Sequence, residues 1–125
     1  MLSIQDLINK AVKEEDRFIN VSIEKMKGEI KLRIPPTKEI DELKEKHIKD
    51  YEELMFDLVY NCCAEPALND NKLLEHFNCK DTPYMVVEKV FGLGIASNLA
   101  ELVLDEKNAE NSIKKVDTKV DAIKN

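Results

Sequence analysis

The chain contains no tryptophan, and only three tyrosines and four phenylalanines supply aromatic surface. Its core must therefore be built mainly from aliphatic side chains. Glycine and proline are also scarce, at three and four residues, which excludes collagen-like and low-complexity classes. No excess of basic residues exists. The formal net charge is -6, so the chain lacks the basic face that displaces counterions from phosphates. We expect neither a nucleic-acid partner nor docking on an anionic membrane.

Long apolar runs are missing as well. The longest charge-free stretch, Val90 to Ala100, falls far short of the roughly 18–20 residues that span a bilayer. The opening "MLSIQDLINKAVKEEDR" is amphipathic rather than signal-like. A protein that stays in the cytoplasm where it is made is the expectation. Three cysteines form an odd set, which in a non-secreted chain reads as reduced thiols.

What is present fits one domain of 125 residues. Ser3 is placed to cap a first helix, with Leu7, Ile8, Ala11 and Val12 on one stripe and an end near Glu15. From Phe18 the period changes to two. Ile19, Val21 and Ile23 alternate with polar residues, as do Ile30, Leu32 and Ile34. A two-residue turn at Lys27-Gly28, with glycine supplying a positive φ, would set Ile23 opposite Leu32 and Val21 opposite Ile34.

Pro35-Pro36 ends the second strand. Thr37 is placed to cap a helix whose stripe runs through Ile40, Leu43, His47, Ile48, Tyr51, Leu54, Met55, Leu58, Val59 and Cys62. Unbroken from Lys38 to Cys63, it would be about 39 Å long. Asn69 or Asp70 caps a short helix, and Asp81 or Thr82 caps another with Pro83 in its first turn. Gly92 and Gly94 interrupt that helix before "IASNLAELVL" resumes it. The expected fold is α+β, one β-hairpin packed on four to five helices, with a globular domain over 1–105. Residues 106–125 read as a flexible or conditionally helical tail, with Ile113, Val116, Val120 and Ile123 on one helical stripe.

Two motifs invite chemistry. Cys62, Cys63, His76 and Cys79 cluster in sequence, but a zinc site commonly uses a C-x2-C grouping. Adjacent side chains on a helix diverge by about 100°. Small apolar gap-fillers is the preferred reading, with a metal- or thiol-dependent regulatory protein as the alternative. The G-x-G of "FGLGIAS" lacks the small residue and preceding strand of a dinucleotide site, so it reads as a helix break. The carboxylates of "KEEDR" and "DEKNAE" read as solvated surface. No nucleophile–base pair or cofactor motif is evident, which points away from an enzyme and away from a cofactor.

One segment resists so plain a reading. Between Tyr84 and Leu104 the apolar residues cover more than one helical face. Val86, Val90, Leu93, Ile95, Leu99, Leu102 and Val103 cannot all face inward if each helix buries one stripe, so part of this set is expected to line a partner-binding groove.

The order of segments resembles the tail assembly chaperones of long-tailed phages, nearest to the group in Gram-positive phages and phage-like bacteriocin elements. The resemblance spans about residues 3 to 105. It lies in a short N-terminal helix, a charged hairpin, a helix running into "VYNCCAEPAL", the "LLEHF" helix and "DTPYMVVEKVFGLGIASNLAELV". It implies a non-enzymatic role in the host cytoplasm, binding the long helical tape measure protein and keeping it soluble, with self-association as a further expectation.

Overall fold

A computed structural model describes residues 1–116. The fold is α+β, a three-stranded antiparallel sheet packed on a helical body. Among the described residues no helix is long and apolar enough to cross a membrane.

Helix α1 spans Ile4–Asn9. Ser3 Oγ accepts from the Asp6 N–H and Asp6 Oδ2 accepts from the Ser3 N–H, a reciprocal cap. The helix stops well short of Glu15, and it buries none of its residues. Past it, the acidic residues turn toward distant partners. Glu14 Oε1 accepts from both the N–H and the hydroxyl of Thr37, at 3.1 and 2.6 Å. It thereby satisfies an orphan donor at the start of helix α2, Thr37–Lys46. Thr37 is thus the first residue of α2, and the capping group comes from Glu14.

Strands β1, Arg17–Ile23, and β2, Gly28–Ile34, form the expected hairpin in a different register. Ile23 faces Gly28, Val21 faces Ile30 and Ile19 faces Leu32. A 3₁₀ turn over Glu24–Met26 forms the loop, and Lys27, not Gly28, takes the left-handed conformation at φ 53°. The offset from the expected register is even, so every side chain keeps its face. Strand β3, Cys63–Glu65, was not expected; it adds to β2 through Leu32–Cys63 and Lys31–Glu65 pairs. The sheet order is β1-β2-β3.

The long helix is two helices. Helix α3 spans Tyr51–Cys62, and Asp50 caps it by accepting from the Glu53 N–H. The break arises because His47 turns inward onto Asp57, while Ile48 and Tyr51 point to solvent. Helix α4 spans Asn71–His76 with Asp70 as its cap. A 3₁₀ turn over Pro83–Met85 leads into α5, Val86–Glu110, with Thr82 preceding the turn without a side-chain cap. Gly92 breaks α5 at φ 76°, ψ 164°, a region open essentially to glycine alone, whereas Gly94 stays helical.

Ile23, Leu32 and Ile34 of the sheet join Phe56 and Val59 of α3 and Val86, Val87 and Val103 of α5 in one buried core. Helix α5 continues past Asp105 because its last turns are held in place. Arg17 pairs with Glu106 at 3.1 Å. Lys107 is buried and its ammonium sits between Glu14 at 3.6 Å and Glu110 at 2.8 Å. Beyond it, Ile113 and Val116 are exposed, and Val120 and Ile123 lie outside the described residues.

Candidate functional site: an apolar groove beside the hairpin

Helix α5 lies against the sheet with an apolar face broader than the sheet covers. Ile95, Leu99 and Leu102 follow one another at intervals of four and three, so they share a stripe. That stripe faces Val21 and Ile23 of β1. Between them runs a groove of about 260 Å³, with Ser22, Glu24, Lys25 and Asn98 adding its polar margin. The volume is below the roughly 300–1,000 Å³ of small-molecule pockets, and it suits a few apolar side chains of a larger partner. A second hollow, between α2, α3 and α5 beside Leu54 and Leu104, encloses only about 20 Å³, room for no more than a water.

The seven residues expected at a partner surface divide three ways. Val86, Leu99 and Val103 are buried, Val86 and Val103 completely. Val90, Ile95 and Leu102 are half-buried, and Leu93 is 47% exposed. Only Ile95, Leu99 and Leu102 line the groove. Sequence reasoning missed the opposite wall, Val21 and Ile23. Their alternation was legible, but an inward strand residue gives no sign of whether a helix covers it fully.

Cys62, Cys63 and Cys79 are free and buried. The Cys63 thiol donates to the Pro66 carbonyl at 3.2 Å, and that of Cys79 to the Phe77 carbonyl at 3.3 Å. Burial pushes the Cys62 thiol up to about 12 against the pull of Arg33, and the Cys63 thiol up to about 11. Both changes disfavour the nucleophilic thiolate. His76 is exposed and stacks edge-on against Phe77. Among the described residues no three His, Cys, Asp or Glu side chains converge as metal ligands.

A polar cluster that the sequence did not announce lies between α2 and α3. Buried Asp57 accepts from Lys46 Nζ at 3.1 Å and lies 2.7 Å from His47 Nε2 through one oxygen. Its other oxygen accepts from Asn61 Nδ2 at 2.8 Å. The His47 ring meets Tyr84 edge-on, and the Tyr84 hydroxyl donates to Glu53. With both carboxylate oxygens occupied by protein donors, the cluster fastens α2, α3 and the Pro83–Met85 turn together.

Comparison of the chain with protein families, with curated proteins and with solved structures gives no match.

Proposed function

We propose that this protein is a non-enzymatic tail assembly chaperone of a phage or phage-like element. It works in the host cytoplasm and binds the tape measure protein during tail morphogenesis. The observation that carries the reading is the groove between Val21 and Ile23 on one side and Ile95, Leu99 and Leu102 on the other. A tape measure helix has apolar stripes that remain uncovered until tube subunits surround it. A groove of this chemistry accepts apolar side chains spaced along one helix face, the helix-in-groove mode of recognition. The net charge of -6 keeps such a complex away from neutrality, which favours solubility. The order of segments supports the same reading, with a short helix and a hairpin ahead of a helical body.

The test is co-expression with the tape measure protein encoded in the same element. With wild type, the tape measure protein is expected in the soluble fraction and in complex. With Ile95→Glu or Leu102→Glu it is expected to precipitate. The same soluble yield with and without the chaperone would refute the proposal.

A further inference from the structure

Helix α1 is fully formed, yet it buries none of its residues. Its six residues are fewer than the roughly 12–15 that an isolated helix needs. It is closed at its start by the Ser3–Asp6 cap and braced by Gln5 Nε2, which donates to Asn9 Oδ1 at 3.0 Å. Ile4, Leu7 and Ile8 stand at i, i+3 and i+4 and so share one face. All three are exposed, Ile4 at 74% and Ile8 at 65%. An uncovered amphipathic helix thus belongs to the same chain as an uncovered apolar groove. The root of this N-terminal arm is fixed beside that groove. Glu14 is held by Thr37 and by buried Lys107. Lys107 lies on α5, which carries the groove residues Leu102, Leu99 and Ile95 five, eight and twelve positions earlier.

We infer that α1 is a built-in occupant of the groove, a strap that folds back over it and that a partner helix must displace. The reach suffices. Leu99 lies eight residues from Lys107, about 12 Å along the helix. The six residues from Ile8 to Glu14 extend to about 20 Å. Folded back, α1 sets Ile4, Leu7 and Ile8 against the stripe of Ile95, Leu99 and Leu102, the helix-in-groove mode in which a partner would also bind. The structure shows the arm open. Residues 11–13 lie in no helix or strand and are exposed, so closing the arm disturbs no packing. The charges agree as well. Lys10 and Lys13 then run beside exposed Asp105, three residues past Leu102 and so on the same side of α5. A tether this short holds the helix near the groove at roughly millimolar effective concentration, so a weak contact is enough for occupancy. The inference rests on the groove accepting a helix, as the chaperone reading requires, and adds the regulation of that site.

Two readouts test the strap without any tape measure protein, so their failure is distinct from failure of the chaperone reading. The chain has no tryptophan, and Leu7→Trp places a single reporter on the exposed helix. Its emission is expected to be blue-shifted and shielded from acrylamide, equally at every protein concentration. Adding Leu102→Glu or Ile95→Glu is expected to shift it to the red and open it to the quencher. The second readout is binding of the apolar dye 8-anilinonaphthalene-1-sulfonate. Truncation of residues 1–12 keeps Glu14 and removes no buried side chain. The truncated chain is expected to bind the dye about tenfold more tightly than the full chain, the gain when a groove open about a tenth of the time stays open. Leu102→Glu in the truncated chain is expected to abolish that gain. An arm that never docks gives the opposite sign, because truncation then only removes apolar surface. A tryptophan exposed in the full chain overturns the inference, as does shielding that both groove variants leave intact. Shielding lost on dilution overturns it too, since α1 then sits on a second copy, and so does a truncated chain that binds the dye no more tightly than the full one.

Discussion

His47 Nε2 lies 2.7 Å from Asp57 Oδ2, and the two side chains are 7% and 4% exposed. This contact explains why one continuous apolar stripe folds as two helices. His47 leaves the helix to reach Asp57, and Asp50 starts the next one. Removing the carboxylate leaves the buried His47 Nε2 without its partner. Asp57→Ala is therefore expected to cost about 1–3 kcal/mol, the penalty of a buried polar group left unpaired. Lys46, whose side chain is 61% exposed, reaches the same oxygen from the surface; Lys46→Ala is expected to cost no more than about 1 kcal/mol. Urea unfolding of both variants measures the contrast, and equal costs would mean the cluster is not what joins α2 to α3.

The glycines of α5 predict opposite signs. Gly92 holds φ 76° and ψ 164°, so Gly92→Ala is expected to lose about 1–3 kcal/mol even though a methyl group would meet no atom within 4 Å. Gly94 is helical and equally unobstructed. Gly94→Ala is expected to gain about 0.5–1 kcal/mol by restricting the unfolded chain. Thermal melts of the pair would check the assignment of the break to residue 92.

The thiols set an alkaline limit on stability. Cys62 and Cys63 shift from an ordinary 9.0 up to about 12 and about 11 in the folded chain. Above pH 9 the unfolded state releases these protons while the folded state keeps them, so fewer protons are bound on unfolding. Stability is thus full below pH 9 and falls from there toward pH 12. Denaturant midpoints in Cys62→Ala should show a shallower alkaline loss than wild type. Native protein at pH 8 should also react with a thiol-specific reagent only at the rate of its unfolding, and rapid labelling of Cys62 would contradict the burial.

Among the described residues the last buried side chain is Lys107, two positions past the change of composition at Asp105. Truncation after Asp105 deletes the Arg17–Glu106 pair and the buried Lys107. It is expected to lower the melting temperature by several degrees, given the ~4–8 °C that 1 kcal/mol is worth in a domain near this size. Truncation after Ser112 should leave it unchanged. Equal melting temperatures for the two truncations would place the boundary at 105.

The α+β class was legible because the hydrophobic period changes from two to 3.6 near Pro35, a local signal that burial reinforces. The hairpin's faces were legible for the same reason. Its register was not, because Lys27 took the left-handed position that glycine would ordinarily fill. The α2–α3 break was hidden since His47 occupies a core position in the stripe, and its polar partner lies ten residues away. Strand β3 is too short to show a period. In the groove, Ile95, Leu99 and Leu102 were named together with Val86 and Val103. A helix apolar on every side does not disclose which face meets the core, and only the packing of α5 against α3 and β2 separates them.

The most direct test of the chaperone reading is a titration of the groove itself. A synthetic amphipathic helix from the partner tape measure protein is added to wild type and to Leu102→Glu, with heat and melting temperature both recorded. We expect wild type to bind it and the variant to lose at least about tenfold in affinity, the scale of a groove hot spot, while still melting cooperatively. Undiminished binding by a folded Leu102→Glu variant, or no binding of such helices by wild type, would contradict the assignment of the groove as the chaperone site.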